Sequence, residues 1–315
     1  MTVKVSKPAL NLREELADLR KPSGIAGEAM LRADSVQEQR DLIGAGRRNL
    51  IINGDCRISQ RGDYSSATAL SDETYYLDRF EQNIGSGTCT GQHISANQPP
   101  ELSNTMSWKL TAGTTATSFF GTRQLIEDYK LFNGRPFTVS AYIKTNNPSV
   151  RFYLYNGASV VTSKSSVPND GQWHRLEETF TFDAEVGSIF SVSILAISEG
   201  GSSVPVTSGD YIEYTGWQLE LGSVATEFDN SLSYGEQLAL CQRYYLNAPS
   251  PALVLNTGGV YTNFVFPTTM REAPAITVTP SSGVATIGSP SSSIHGFHAT
   301  GSSTSGAAVI ADAEL

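Results

Sequence analysis

The sequence predicts a mainly β protein with a short α-helical anchor, an antiparallel β-sandwich of the jelly-roll type and a small C-terminal β domain. Three observations lead to this class. Charged residues make up 17% of the 315 residues, below the roughly 25% of an ordinary soluble domain. Residues 1–48 have helical spacing, whereas residues 49–245 repeatedly alternate apolar and polar positions. Twenty-eight glycines and abundant Ser, Thr and Asn supply many turns.

Residues 1–48 are expected to be a helical segment that docks on another protein. Leu12, Leu16 and Leu19 are spaced four and three residues apart, which places them on one helix face. Lys21-Pro22 then ends the helix. So short a helix has too little apolar surface to be stable alone. Residues 1–48 also carry nine basic and seven acidic side chains, against 13 and 24 in the rest, so we expect them to contact a different partner.

Residues 49–245 are expected to form the sandwich. The stretch 137–145 alternates in a way typical of a half-buried strand. Its inward phase is Phe137, Val139, Ala141 and Ile143, and its outward phase is Thr138, Ser140, Tyr142 and Lys144. Comparable stretches lie at 75–83, 105–112, 150–156, 173–182, 190–197 and 211–222. Turn sequences separate them and no helical pattern intervenes, so an antiparallel jelly roll is predicted.

The stretch NLIINGDCRISQRGD, residues 49–63, lies where the helical pattern gives way to strands. Leu50–Ile52 is predicted to be the first strand, Asn53-Gly54 a hairpin turn, and Arg57–Gln60 the second strand. The closing Arg-Gly-Asp, 61–63, is interpreted as turn chemistry and not as an adhesion signal. A brief helix is predicted over 231–245, with Leu238, Cys241 and Tyr245 three and four residues apart.

Residues 246–315 are predicted to be a small β tip that trimerises. Pro249 and Pro251 mark its start, and 22 of the 32 residues in 280–311 are Ser, Thr, Gly or Ala. Such a segment cannot bury a core of its own. We therefore expect other chains to complete it, and a closed threefold interface would do so.

The composition argues against nucleic-acid and membrane partners. The net charge is −9, whereas phosphate binding needs clustered Lys and Arg. No apolar run approaches the roughly 18 residues that span a bilayer, and the start has no apolar signal-peptide core. The three cysteines have no metal-binding spacing, so they are predicted to be reduced structural thiols. They are Cys56, Cys89 and Cys241.

The polar residues do not predict an enzyme, and no catalytic, cofactor-binding or metal site is assigned. His174 beside Trp173 is typical of strand-edge packing. Glu177 and Glu178 are adjacent, so on a strand they cannot jointly flank a glycosidic bond. His295 and His298 also fall on opposite strand faces. A calcium ion held by Asp78, Asp210 and Glu220 is the one metal hypothesis left open, since carboxylates suit calcium.

Aromatic side chains offer the best-supported binding surface. Tyr142, Tyr153 and Tyr155 occupy the outward phase of predicted strands, where rings can stack on sugars. The three tryptophans, Trp108, Trp173 and Trp217, are open to two interpretations. They are additional sugar-stacking rings, or, for Trp173 and Trp217, core residues within alternating strands.

Several motifs in this chain resemble those of bacteriophage tail-fibre proteins. They are the stretches 31–62, YYLDRF (75–80), WQLELGSVATEFD (217–229), SYGEQLALCQRYY (233–245), FPTTMREAPAITV (266–278) and ADAEL (311–315). Their order and spacing cover nearly the whole chain. The one departure is Phe80, where the family's motif usually has Trp.

The resemblance implies a non-enzymatic homotrimeric virion protein, made in the host bacterial cytoplasm. Its residues 1–48 would attach to the tail, baseplate or an adaptor, and its β domains would bind a host-surface glycan or protein. Three alternatives remain open: a purely structural tail component, a glycan-degrading tailspike and a cellular carbohydrate-binding module. A tailspike usually needs a long repetitive β-helix and paired carboxylates, and a cellular module would not require residues 1–48.

Overall fold

The computed structural model describes residue 32 and residues 48–102, 105–127, 129–182, 187, 189–229, 232–254, 262–280, 291–299 and 306–314. Its contacts divide the chain into two units, Met1–Arg48 and Asn49–Leu315. The predicted helix with Leu12, Leu16 and Leu19 lies outside the described residues. No described helix is long and apolar enough to cross a membrane.

Thirteen strands build the first part of the second unit. In chain order they are β1 (Thr68–Leu70), β2 (Glu81–Ile84), β3 (Cys89–Ile94), β4 (Ser107–Ala112), β5 (Ala116–Ser118), β6 (Phe120–Leu125), β7 (Phe137–Thr145), β8 (Val150–Tyr155), β9 (Val160–Thr162), β10 (His174–Phe180), β11 (Ser191–Ala196), β12 (Val204–Val206) and β13 (Tyr211–Leu221). A 3-10 turn, Tyr129–Phe132, precedes β7.

Two antiparallel sheets form the predicted sandwich. One has six strands in the order β1-β3-β4-β13-β7-β10, and the other has five in the order β2-β6-β11-β8-β9, while β5 and β12 pair separately. The strand predicted at 137–145 is confirmed as β7, and Phe137 and Ile143 of its apolar phase are fully buried in one core with Phe152 and Leu154 of β8. Burying each such side chain stabilises the fold by about 1.5–3 kcal/mol. The predicted exposure of the other phase holds only at its second half, because Thr138 and Ser140 are buried as well.

The hairpin predicted at residues 50–60 is wrong, because this stretch contains no strand. Asn53 adopts a φ of 62°, which interrupts an extended chain. Its side chain accepts from the Ile58 amide at 2.8 Å and donates to the Ile58 carbonyl at 2.9 Å. The adjacent Gly54 packs so closely that a Cβ there would lie 2.1 Å from the Trp217 carbonyl oxygen. The segment is therefore an irregular loop, held by the hydrogen bonds of the Asn53 side chain.

The second part of the unit begins with α1 (Tyr234–Gln242), which starts at a capping box formed by Ser233 and Glu236. The helix is three residues shorter at each end than the predicted 231–245. Tyr245 does not continue its face but starts a strand, because its backbone pairs with Asp312. The strands that follow are β14 (Tyr245–Val254), β15 (Thr262–Val265), β16 (Ala275–Pro280), β17 (Ser291–Ser293), β18 (Gly296–Ala299) and β19 (Gly306–Asp312).

These strands form two three-stranded sheets, β14-β19-β16 and β15-β18-β17. The expectation that the small-residue segment cannot bury a core of its own is wrong for 306–312, while its trimerisation stays a prediction. This stretch is the central strand of its sheet, and Ala307, Val309 and Ala311 are fully buried. Pro249 and Pro251 do not end an element but lie within β14, where the register shifts between Ala248 and Leu253. An irregularity of this kind accommodates proline in a strand.

Two arginines attach the C-terminus to the sandwich. Arg79 forms an ion pair with Glu314 and lies 3.6 Å from the ring centre of Tyr244. Arg61 pairs with Glu314 at 3.1 Å and lies 3.6 Å from the ring centre of Tyr245. We call these five residues the arginine clamp. Arg61, the first residue of Arg-Gly-Asp, is thus held by intramolecular contacts, and its side chain is only 12% exposed.

Asp78, beside the clamp, should make stability depend on pH. Its carboxylate accepts hydrogen bonds from the Gln60 amide at 2.6 Å and from Gln60 Nε2 at 2.7 Å. Burial outweighs them and raises the pKa of Asp78 to about 6, above the roughly 3.9 of an unfolded chain. Its contribution to stability is therefore fully present below about pH 3.9 and is lost as the pH rises through about 6.

We expect the free energy of unfolding, relative to Asp78→Asn, to fall by about 2 kcal/mol between pH 4 and pH 7. Urea unfolding of both proteins across this range measures the difference, and the variant cancels the contribution of all other groups. A difference that stays constant or rises with pH would contradict the assignment.

Candidate functional site

One row of side chains crosses the outer face of the six-stranded sheet. Strand register pairs Lys144 with Glu213, Glu213 with Lys109, and Lys109 with Gln92. Trp173 directly precedes β10, whose first residue pairs with Ile143, so it adjoins Lys144. We call these five residues the polar row. It covers four interstrand spacings, about 19 Å, and runs perpendicular to the strands.

Glu213 is the charged centre of the polar row. It is 2% exposed, and its Oε2 lies 3.2 Å from Lys144 Nζ. Its Oε1 accepts a hydrogen bond from Ser107 Oγ at 2.8 Å. A buried carboxylate needs such partners because desolvation is costly. The pair therefore fixes the positions of both charged groups before any ligand arrives.

Two aromatic rings flank the cations of the polar row. Lys144 Nζ lies 5.6 Å from the Trp173 ring centre, and Lys109 Nζ lies 4.4 Å from the Tyr211 ring centre. Both are within cation–π range. Trp173 Nε1 donates to the Asn97 carbonyl oxygen at 2.7 Å, which fixes the ring. The row thus combines oriented aromatic surface with hydrogen-bonding groups, as small-molecule and sugar sites require.

Tyr142 lies on the same face, two residues before Lys144 on β7. It is half-buried, and burial raises the pKa of its hydroxyl. The Arg175 guanidinium lies 6.0 Å from its ring centre. A Cβ at Gly216 would lie 2.9 Å from the ring, so the chain at Gly216 packs directly against it. Tyr142 extends the aromatic surface along the sheet.

The three predicted tyrosines do not form one site. Tyr153 and Tyr155 lie on β8 of the five-stranded sheet, in the opposite phase to the buried Phe152 and Leu154. They share one outer face of the sandwich, and Tyr142 lies on the other. Whether Tyr142 shares a face with Tyr153 and Tyr155 depends on the strand order, which local sequence patterns do not contain.

The tryptophans also divide between core and surface. Trp108 and Trp217 are 0% exposed, so Trp108 is wrong as a sugar-stacking ring and Trp217 is a core residue. Trp173 is only half-buried and belongs to the polar row. Its position immediately before β10, at the end of a turn, explains why it escapes the core.

The three carboxylates of the calcium hypothesis do not converge. Asp210 and Glu220 lie at opposite ends of β13, about 33 Å apart along the strand. Asp210 accepts from Asn147 Nδ2 at 2.7 Å, and Glu220 accepts from Gln218 Nε2 at 2.7 Å. Asp78 is bound by Gln60, as described above. Within the ranges that the structure describes, no group of three His, Cys, Asp or Glu is arranged to hold a metal ion.

The other titratable side chains considered for catalysis and the three cysteines have structural roles. His174 Nε2 lies 2.9 Å from Asp170 Oδ1. Glu178 accepts from the Lys164 amide at 3.0 Å, while Glu177 points to the opposite face of β10. All three cysteines are buried and free, and burial raises the pKa of the Cys89 thiol to about 12. Such thiols are protonated and unreactive at neutral pH.

Comparisons with known proteins give likenesses to solved structures. No protein-family model matches the chain, and no curated protein matches it. One similar solved structure is the enzymatically active domain of tailspike protein 4 of bacteriophage CBA120. Its sequence is 14% identical and its TM-score is 0.36. The alignment covers 55% of this chain and 21% of that chain. This chain therefore spans about a fifth of the tailspike's length.

Carbohydrate-binding modules are also similar to the sandwich. TmCBM61, solved with β-1,4-galactotriose, is 12% identical with a TM-score of 0.30, covering 56% of this chain and 100% of its own. The CBM22-2 xylan-binding domain of Paenibacillus barcinonensis Xyn10C is 14% identical with a TM-score of 0.33, covering 49% and 99%. At these TM-scores the likeness carries no argument about function, and the candidate site rests on the geometry of this chain alone.

Proposed function

We propose that this protein is a bacteriophage tail protein that binds host-surface glycans through the polar row. The observation that carries the proposal is the joint presence of Trp173 and a preassembled Lys144–Glu213 pair on one outer sheet face. A sugar ring presents apolar C–H groups to an aromatic ring and hydroxyls to charged neighbours. The sequence resemblance to tail fibres supports the virion assignment.

The mechanism is multivalent binding without chemical turnover. A single face with one or two rings binds a sugar weakly, and several linked copies raise the avidity by about 10²–10⁴. A homotrimer held to the tail by residues 1–48 would supply three such faces. Trimerisation and tail docking belong to the proposal and are tested by the mass of the full-length protein in solution and by its association with purified tails.

Trp173→Ala should weaken glycan binding about tenfold, equivalent to about 1.4 kcal/mol, because it removes the stacking surface and leaves Glu213 and Lys144 in place. Isothermal titration against a panel of neutral and acidic hexasaccharides measures the loss. Val224→Ala is the matched control, because Val224 is 70% exposed and lies outside the polar row. No binding to any panel member, or equal binding by both variants, would contradict the proposal.

A purely structural tail component is the second candidate, favoured by the same sequence resemblance without the polar row. It predicts no glycan binding by the full-length protein in the titration above, together with normal incorporation into tails. A glycan-degrading tailspike would instead release new reducing ends from host polysaccharide, which a reducing-sugar assay detects.

A further inference from the structure

The five-stranded sheet carries a second aromatic surface on the opposite side of the sandwich. Tyr153 and Tyr155 point to the same side of β8, about 7 Å apart along the strand. Both are half-buried, and burial raises the pKa of the Tyr153 hydroxyl. The neighbouring outward residue Val160 pairs with Tyr155 and is 39% exposed. The surface therefore offers two rings and an aliphatic side chain to solvent.

A buried hydroxyl lies within this surface. Ser193 is directly opposite Tyr153 on one side and Arg123 on the other, so its side chain points outward with theirs. It is nevertheless 0% exposed, so the outer-face side chains themselves must cover it. Its Oγ has no hydrogen-bond partner among the residues that the structure describes. A buried hydroxyl without a partner is unfavourable, and a ligand hydroxyl that displaces the covering side chains between Tyr153 and Arg123 would satisfy it.

A bidentate ion pair between Arg123 and Glu81, which we call the fork, lies beside the Ser193 hydroxyl. Arg123 Nε lies 2.8 Å from Glu81 Oε2, and Arg123 Nη2 lies 2.9 Å from Glu81 Oε1. Glu73 adds a second carboxylate 3.6 Å from Nη2. The bidentate pair holds the guanidinium plane fixed and leaves further N–H groups for a ligand hydroxyl. Arg151, two residues before Tyr153 on the same side of β8, adds a second cation. Two arginines and two carboxylates then balance, so the surface has no excess positive charge that would attract an anionic ligand.

The edge of the surface is kept open by Gly201. Its φ is +86°, and a Cβ there would lie 3.2 Å from Tyr153 Cε2 and 3.1 Å from Val160 Cγ1. Any larger residue would crowd the Tyr153 ring. The loop thus reaches the ring edge without a side chain that projects over it.

We propose that Tyr153, Tyr155, Ser193, Arg123 and Glu81 form a second carbohydrate site, the tyrosine shelf, which binds an uncharged pyranose. The sugar ring lies against the tyrosines, and its hydroxyls bond with Ser193 and the Arg123–Glu81 fork. The proposal deepens the glycan-binding function and rests on it. Since the polar row lies on the opposite outer face, one chain would bind two separate glycan strands.

Stoichiometry tests the proposal. Native mass spectrometry of the full-length protein with neutral hexasaccharides (xylohexaose, cellohexaose and a β-1,4-galactohexaose) should show two bound oligosaccharides per chain. Tyr153→Ala/Tyr155→Ala should bind one, and Trp173→Ala should also bind one. Tyr153→Phe/Tyr155→Phe keeps the rings and should retain two, which separates stacking from loss of fold. An oligogalacturonate hexamer should not occupy the shelf.

The outcomes separate the two sites. If each chain binds one oligosaccharide and Trp173→Ala abolishes that binding, the shelf is refuted. Absence of binding by every neutral hexasaccharide would also overturn it. The opposite result is that each chain binds one oligosaccharide, that Tyr153→Ala/Tyr155→Ala abolishes this binding and that Trp173→Ala leaves it unchanged. This result would support the shelf and refute the polar row. Occupation of the shelf by oligogalacturonate at equal affinity would overturn its preference for an uncharged sugar.

Discussion

Glu314→Gln is expected to lower the free energy of unfolding by about 3–5 kcal/mol. Glu314 forms an ion pair with Arg79 and a second one with Arg61. The Arg79 side chain is 1% exposed, so the neutral amide would leave a buried guanidinium without its counter-charge. The substitution keeps the size of the side chain, and lost packing therefore does not explain the expected effect.

Urea unfolding measures this loss, and Glu272→Gln is the matched control. Glu272 also pairs with an arginine, Arg271, but its side chain is 56% exposed. Exposed pairs are worth about 0–1 kcal/mol. Equal destabilisation by the two substitutions would refute a special role for the clamp. Arg79→Met combined with Glu314→Gln should cost less than the sum of the two, because neither charge is then left buried alone.

The clamp brings several of the resemblance motifs together in space. Arg79 comes from YYLDRF, Tyr244 and Tyr245 from CQRYY, and Glu314 from ADAEL. These motifs are distant in sequence and meet through one carboxylate. The same contacts hold Arg61, so the Arg-Gly-Asp tripeptide contributes to the fold.

Phe80→Ala is expected to cost about 3–5 kcal/mol. Phe80 is fully buried and stacks on Trp217 with ring centres 5.4 Å apart and planes 4° apart. Its edge contacts Tyr214 at 5.6 Å between ring centres. Removing the ring leaves a cavity between two large aromatic side chains, and such side chains cannot collapse fully into it.

Thermal and urea unfolding of Phe80→Ala measure this cost, with Val265→Ala as the control. Val265 is 76% exposed, so its truncation should change stability by less than about 0.5 kcal/mol. A loss below about 1 kcal/mol for Phe80→Ala would show that the aromatic cluster repacks. Loss of near-ultraviolet circular dichroism in the folded variant reports directly on the Trp217 environment.

Local patterns in the sequence are enough to predict an antiparallel β-sandwich. Strands with strict alternation, such as 137–145 and 150–155, were predicted nearly to the residue, because burial on one face imposes a period of two. The prediction failed at residues 50–60. There, apolar neighbours are both buried, and the Asn53 side chain replaces a backbone ladder, which no periodicity can indicate.

The composition of the two candidate sites depends on long-range strand pairing. Lys144 and Glu213 are 69 positions apart and meet through strand register, while Tyr142 and Tyr153, eleven positions apart, end on opposite faces. Likewise, Gly306–Asp312 has too few large residues to predict a core strand, yet it pairs on both sides, and Ala307 and Ala311 are buried. Local pattern fixes which face of a strand is apolar, but long-range pairing decides which outward residues become neighbours.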